Sequence, residues 1–274
     1  MGGEGFVQRQ TGLLHRGFVI LKRAIPLHEC DEIRVALSRQ CNGWHSISGE
    51  NRRKKISLNE KLIAKLQPKV AYILSSRFPS MKWELNTWVG IRSEPSGHEQ
   101  HLHTDWTKSD WEQAMDPSPS SRTMRRKNRN GDHSIVPPAS LIVALEDNTV
   151  LRVSPKSSID YEAQKITLIQ LKKGQICVFR ANLVHGGARY EEVNIRIHAF
   201  LDPLSCVRST NATHYAAQKV FPCSGCSKEF DKKAKLRGHE RLCGNDDRAK
   251  ENRNRKNEQN KQYRLRLKRM KPES

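Results

Sequence analysis

A chain of 274 residues with a formal net charge of +20 presents a surface that draws in polyanions, nucleic acid first and anionic membrane a distant second. Only 36 % of it is hydrophobic and its mean hydropathy is −0.75, which excludes a wholly globular chain and leaves one sizeable domain with an appendage, or two small ones. No apolar run approaches the roughly 18 residues of a membrane span, and the N-terminus lacks an apolar signal core.

Residues 15–25 read as an opening strand, and Pro26 to Asp31 as the start of a helix that packs Ile33, Val35, Ala36 and Leu37 on a sheet. Asn51 to Lys55 reads as a basic loop. Glu60 to Arg77 spaces Leu62, Ile63, Leu66, Val70, Ile73 and Leu74 as the core face of a second helix. Trp83 to Ile91 reads as a strand, and directly after it comes His98-Glu99-Gln100-His101-Leu102-His103-Thr104-Asp105-Trp106. Residues 107–138 break the pattern with Pro117, Pro119 and the basic Arg122, Arg125, Arg126, Lys127 and Arg129. They are expected to form a long insertion at the mouth of a site or a solvated loop.

Regular structure resumes at Ala139 to Leu145, and the turn Glu146-Asp147-Asn148 leads into Thr149 to Val153, so a hairpin is expected there. Ile166 to Leu171 is a further strand. Gly174 to Gly187 and Val193 to Leu201 are then expected to pair as a hairpin, with His185 near one end and Arg196 returning beneath the same cavity. Short strands with turn signals, preceded by bracing helices, predict a mainly β double-sheet jelly roll.

Strand side chains alternate between faces, so His103 and Asp105 share one, and His101 can join them. An imidazole beside a carboxylate is two thirds of a 2-His-1-carboxylate iron site, and His185 is the candidate for the missing ligand. A cupin-like pair made by His101 and His103 is the alternative. His98 and His101 otherwise stand as groups near the site or on the plain surface. On the last strand Asn194, Arg196 and His198 share a face, opposite Ile195 and Ile197. An arginine there is a rigid bidentate partner for a carboxylate.

His103-x-Asp105, His185 and Arg196, in that order and spacing, resemble the iron(II)/2-oxoglutarate-dependent dioxygenases. Gln100 to Trp106, Gly174 to Gly187 and the early run Gly17 to Pro26 are similar to the phytanoyl-CoA hydroxylase-like branch, and the likeness spans roughly residues 15–203. It implies a double-stranded β-helix core that takes Fe(II), 2-oxoglutarate and O2, with ascorbate as a reductant. Oxidative decarboxylation of 2-oxoglutarate to succinate and CO2 would then be coupled to hydroxylation of a C–H bond, which on an N-methyl group amounts to demethylation. His103, Asp105 and His185 would hold iron, and Arg196 would pair with the far carboxylate of 2-oxoglutarate, with Asn194 and His198 beside it. Many relatives carry Ser or Thr where this chain has His198.

Further on, Cys223 and Cys226, then twelve residues to His239 and three more to Cys243, look like a two-Cys two-His zinc finger whose last His is Cys. Phe230 and Leu236 stand at its small apolar core, so a ββα module holding zinc is expected. Its base-facing helix positions hold Lys232, Lys235 and Gly238, which suits phosphate or a protein contact better than sequence reading. The remaining cysteines, Cys30, Cys41, Cys177 and Cys206, show no disulfide frame, which points to a reducing compartment. From Gly244 to Ser274 the chain is a basic tail that adds salt-sensitive affinity for nucleic acid, with Arg264 to Lys271 as a nuclear-localisation patch.

The expected organisation is therefore an oxygenase domain over 1–208, a linker and zinc finger over 209–243, and a basic tail over 244–274. The expected function is a dioxygenase working on or near nucleic acid or chromatin in the nucleus, with the cytoplasm as the alternative. Two rivals stand beside it: an inactive oxygenase fold that serves as a nucleic-acid-binding protein, and a small-metabolite hydroxylase. No membrane is expected as a partner.

Overall fold

The computed structural model describes residues 12–40, 43–47, 50, 52–115, 136–155, 160–161, 165–204, 214–218, 220–223, 226, 228–241, 243, 255 and 257–258. It divides into two compact units, Met1–Ala217 and Gln218–Ser274.

Two antiparallel sheets face each other in the first unit. Its larger sheet contains β1 (Phe18–Leu21), β2 (His45–Ser46), β3 (Arg53–Ser57), β4 (Trp83–Ser93), β6 (Ala139–Ala144), β10 (Ile176–Arg180) and β12 (Asn194–Pro203). They run in the order β1-β10-β6-β12-β4-β3-β2. The smaller sheet is built from β5 (His103–Thr104), β7 (Thr149–Ser154), β9 (Thr167–Leu171), β11 (Val184–Gly187) and β13 (His214–Tyr215), in the order β13-β5-β11-β7-β9. The two-residue strands β8 (Asp160–Tyr161) and β14 (Ala217–Gln218) belong to neither sheet.

Period-2 alternation sorts the core into two layers. On β6, Leu141 and Val143 join Ile195 and Ile197 of β12 in a cluster with Ile33 and Leu37 of helix α1 (Leu27–Ser38) and Leu66 and Val70 of helix α2 (Glu60–Arg77). Ile142 and Ala144 of the same strand point the other way, into a cluster with Leu151 and Val153 of β7 and Phe179 of β10. Helix α2 starts where the Asn59 side chain accepts the Leu62 N–H at 3.0 Å, an N-cap that satisfies one of the helix's orphan donors. Mainly β layers braced by helices on one side make a jelly roll.

Four expectations need correction. Residues 53–57 form strand β3 rather than a loop, because the free edge of β4 supplies a partner for every residue from Arg53 to Ser57. Lys108–Met115, at the start of the expected insertion, forms helix α3, while 116–135 lie outside the described residues. Neither expected hairpin exists. β6 and β7 lie in opposite sheets, and so do β11 and β12. In both cases the turn carries the chain across the sandwich: β6 and β7 meet there in one apolar cluster, and β11 and β12 bury polar residues, His185 and Arg196 among them. Alternation in sequence is the same for a hairpin and for such a corner.

In the second unit Phe221–Pro222 (β15) pairs antiparallel with Glu229–Phe230 (β16), and Lys233–Glu240 (α4) follows, which gives the ββα order. The tail beyond residue 243 lies outside the described residues except for Arg255, Asn257 and Glu258.

Candidate metal centre and cosubstrate pocket

β11 runs antiparallel to β5 with His185 directly opposite His103, and this rung brings the two imidazoles side by side, ring centroids 4.4 Å apart. Asp105 follows β5 in a turn whose backbone N–H groups, those of Asp105 and Trp106, both donate to the Ala181 carbonyl at 2.9 and 3.2 Å. That turn swings the carboxylate back over the two rings. Asp105 Oδ1 then lies 4.0 Å from His103 Nε2 and 3.7 Å from His185 Nε2. One ligand atom from each of the three residues falls within 4.8 Å of the others.

Both histidines offer the same nitrogen. His103 Nδ1 is 2.9 Å from the His101 carbonyl and His185 Nδ1 is 2.9 Å from the Leu183 carbonyl. A carbonyl only accepts, so each Nδ1 carries the proton and each Nε2 keeps its lone pair for a metal. Burial pushes the His103 pKa down to about 3, with His185 adding to the effect, and burial lowers His185 as well. Burial also works against the Asp105 charge, and hydrogen bonding from His198 at Oδ2 helps hold its carboxyl below the usual range. Two neutral imidazoles and one carboxylate suit a divalent iron ion, so the residues present fit that group. His101 is exposed, lies edge-on to Tyr215, and is outside the cluster that groups His103 with Asp105 and His185. His98 is exposed too.

His198 Nε2 is 3.4 Å from Asp105 Oδ2, and the Ser140 hydroxyl donates to the same oxygen. The residue expected beside 2-oxoglutarate thus also lies against the Asp105 carboxylate. Asn194 likewise works through a neighbour: its Oδ1 accepts from Arg196 Nη1 at 3.3 Å, while its amide donates to Thr149 Oγ1 at 3.1 Å.

Arg196 is 2 % exposed and is brought against β11 from the opposite sheet rather than by a hairpin. Gly187 shares the inward face of β11 with His185, two residues on, which is roughly 7 Å along the strand. A Cβ on Gly187 would stand 3.0 Å from Arg196 Nη2. Ser93 accepts from Arg196 Nη1 at 3.0 Å, and the guanidinium carbon lies 5.5 Å from the centre of the Tyr190 ring. Among the described residues no carboxylate lies within ion-pair distance of Arg196. A buried cation without an anion costs several kcal/mol, and a carboxylate ligand removes that cost.

Sequence reasoning missed Arg53. Its Nη2 stands beside that of Arg196 under Gly187, its Nε donates to Ser93 Oγ at 3.2 Å, and its Nη1 pairs with Glu50 at 2.6 Å. Burial, followed by repulsion from Arg196, pushes its pKa down to about 10. In a run of four basic residues, nothing marks one arginine as turned inward.

In the second unit, Cys223, Cys226, His239 and Cys243 bring their ligand atoms within 4.8 Å of one another. Cys223 Sγ is 3.5 Å from Cys243 Sγ, and Cys226 Sγ is 3.1 Å from His239 Nε2. The Phe230 ring packs on His239 with centroids 4.8 Å apart. The four side chains form a cluster able to hold a metal ion.

No protein-family profile and no curated protein sequence matches the chain. Solved structures do match its fold. HygX from Streptomyces hygroscopicus, with nickel, 2-oxoglutarate and hygromycin B bound, is 13 % identical with a TM-score of 0.52, over 72 % of this chain and 86 % of that one. The non-heme alpha ketoglutarate dependent epimerase SnoN from nogalamycin biosynthesis is 14 % identical with a TM-score of 0.50, over 72 % and 83 %. EvdO2 from Micromonospora carbonacea var. aurantiaca is 18 % identical with a TM-score of 0.50, over 72 % and 90 %. The first unit thus has the jelly-roll fold of the iron- and 2-oxoglutarate-dependent oxygenases, and the His-Asp-His cluster lies within it.

Proposed function

We propose that the chain is an iron(II)- and 2-oxoglutarate-dependent oxygenase, of the phytanoyl-CoA hydroxylase-like branch, that works on nucleic acid. One observation carries the activity: three ligand atoms converge within 4.8 Å, and a buried arginine with no carboxylate partner among the described residues lies against Gly187, two residues along β11 from His185. When bound, iron and 2-oxoglutarate supply oxidative decarboxylation to succinate and CO2, with O2, and the insertion of oxygen into a substrate C–H bond. The chain's own part is to place them. His103 and His185 present Nε2, Asp105 presents Oδ1, and Arg196 pairs with the far carboxylate of 2-oxoglutarate, a charge-assisted contact of about 1.5–3 kcal/mol. Ser93 and Asn194 hold that guanidinium in place, and Tyr190 packs against it.

The partner reading rests on charge and on the second unit. Cys223, Cys226, His239 and Cys243 are the residues that would hold zinc, and a module with only Phe230 and Leu236 inside depends on such an ion for its fold. Lys232 and Lys235 face outward on or beside α4, and Gly238 has open space around its Cα, so this helix is suited to phosphate rather than to base reading. With a net charge of +20, the chain is read as a nuclear protein held on nucleic acid by salt-sensitive contacts. Hygromycin B in one structural neighbour keeps a small-metabolite substrate as the rival.

The test is anaerobic addition of iron(II) and 2-oxoglutarate, watched for the weak visible charge-transfer band of a 2-oxoacid on iron, then oxygen and a succinate assay. A band that decays with succinate release supports the activity. Its absence from folded protein would leave a binding module on an oxygenase scaffold. Salt titration of oligonucleotide affinity then tests the partner, and affinity indifferent to salt would move the reading to a metabolite.

A further inference from the structure

The rung that joins the two iron histidines extends one strand further. His185 of β11 pairs with His103 of β5, and His103 pairs on its other side with Tyr215 of β13. Directly paired residues of an antiparallel ladder send their side chains to the same face, with Cβ atoms about 5 Å apart. Tyr215 therefore projects on the metal side of the sheet, next to a ligand. Exposure along this row rises from 4 % at His185 and 5 % at His103 to 58 % at Tyr215, so the row leads from the buried centre to solvent. β13 is the outermost strand, and the Ala216 N–H donates to the Leu102 carbonyl at 2.9 Å to continue the ladder. His101, two residues before His103, stands perpendicular to the Tyr215 ring at 87°, with centroids 6.0 Å apart. That contact holds the phenol ring without covering both of its faces.

We propose that Tyr215, braced by His101, is the platform on which a nucleobase of the prime substrate stacks beside the iron. This rests on the oxygenase reading above and names its substrate as a planar heteroaromatic group carried on a polyanion. Stacking on tyrosine is indifferent to the identity of the base, because every base has a π-face, and the net charge of +20 supplies affinity for the phosphates. Chemistry on a base requires it to be unpaired and turned toward the catalytic group, and an exposed ring one strand from the metal offers it a place to rest.

The experiment uses the full chain with iron(II) and 2-oxoglutarate, kept anaerobic, and a single-stranded oligonucleotide carrying 2-aminopurine, whose fluorescence falls when it stacks. The wild-type protein is expected to quench it. Tyr215→Ala is expected to abolish the quench and weaken binding about tenfold, and Tyr215→Phe to retain both. The charge-transfer band, read in the same samples, reports on iron and cosubstrate separately. A missing band strikes the oxygenase reading, whereas a band with no quench strikes the platform alone. Undiminished quenching by Tyr215→Ala overturns the proposal. So does an oligonucleotide that binds no more tightly than the 2-aminopurine nucleoside, a result that would make the substrate a free heteroaromatic metabolite.

Discussion

Arg196 lies directly against the bare Cα of Gly187. A Cβ at that position would stand 3.0 Å from the Nη2 atoms of both Arg196 and Arg53, and 3.2 Å from the Arg53 guanidinium carbon. The two guanidiniums are not free to yield, since Ser93 accepts from both, Glu50 holds Arg53 and Asn194 holds Arg196. Gly187→Ala is therefore expected to shift both guanidiniums and, with Arg196 in its proposed role, weaken 2-oxoglutarate by about tenfold, the equivalent of about 1.4 kcal/mol. Affinity for iron at His103, Asp105 and His185 should be unaltered, because Gly187 touches none of the three. Titration of the charge-transfer band with 2-oxoglutarate measures this directly. An unchanged midpoint would place the cosubstrate somewhere other than beside Arg196.

Asp105 divides its two oxygens between tasks. Oδ1 is the one near both histidine Nε2 atoms, and Oδ2 takes the Ser140 hydroxyl and faces His198 Nε2. Two donors on Oδ2 leave Oδ1 for the metal, so Ser140 and His198 are positioning residues. Removing outer partners of this kind lowers metal affinity by roughly 10–100-fold. Ser140→Ala and His198→Phe should each fall in that range in an iron titration, with the shape of the iron(II)–2-oxoglutarate band altered. Asp105→Ala, by contrast, should abolish iron binding and succinate release together in a protein that still folds. Full turnover in Asp105→Ala would remove the assignment of the centre.

The three residues of the cluster were legible from local pattern, His103 and Asp105 two apart and His185 before two glycines, although a turn after β5 and not strand alternation brings Asp105 to His103. Arg196 was legible by its spacing and its strand face. What escaped was everything decided by pairing between distant segments. β6 and β7 alternate like a hairpin, yet the Glu146 to Asn148 turn takes the chain to the other sheet. Arg53 hid in a basic run, and only its pairing opposite Ser93 turns it inward. The contact of His198 with Asp105 also escaped, because the residue opposite it is set by how the two sheets face each other. Tyr215 sits in a two-residue strand with no periodicity to announce it.

Acid should unfold the metal-free protein through its own site. His103 titrates at about 3 in the folded protein against 6.5 unfolded, and His185 is shifted in the same direction. Between those values the unfolded chain binds protons that the folded site refuses, so stability is lost as pH falls from 6.5 toward 3. Each imidazole kept neutral contributes up to about 1.4 kcal/mol per pH unit. Asp105, held low, adds a loss of the same sign below 3.8. Urea unfolding at pH 7, 6 and 5 should show His103→Phe with a slope smaller by about one proton. An identical slope would mean that His103 is not the buried neutral group described.

The second unit puts a sharper condition on its ion. For bonds of about 2.3 Å, ligand sulfurs on a tetrahedral zinc stand about 3.8 Å apart, close to the 3.5 Å between Cys223 and Cys243. Phe230 and Leu236 are only half-buried and no residue of α4 is fully buried, so apolar burial cannot hold this module together. On the zinc reading proposed above, an ion binding at about 10–16 kcal/mol would supply the difference. Cys243→Ser should bring zinc from one ion per chain to none by elemental analysis, and exchange of the α4 amides should become fast. Cys243→His should keep both, since imidazole nitrogen satisfies the same tetrahedral position and restores the commoner pair of histidines. The main unfolding transition, which reports the jelly roll, should move in neither variant. A Cys243→Ser protein that retained zinc and slow α4 exchange would mean that the four side chains are not the ligand set, and that the helix is held by contacts other than those seen around Phe230.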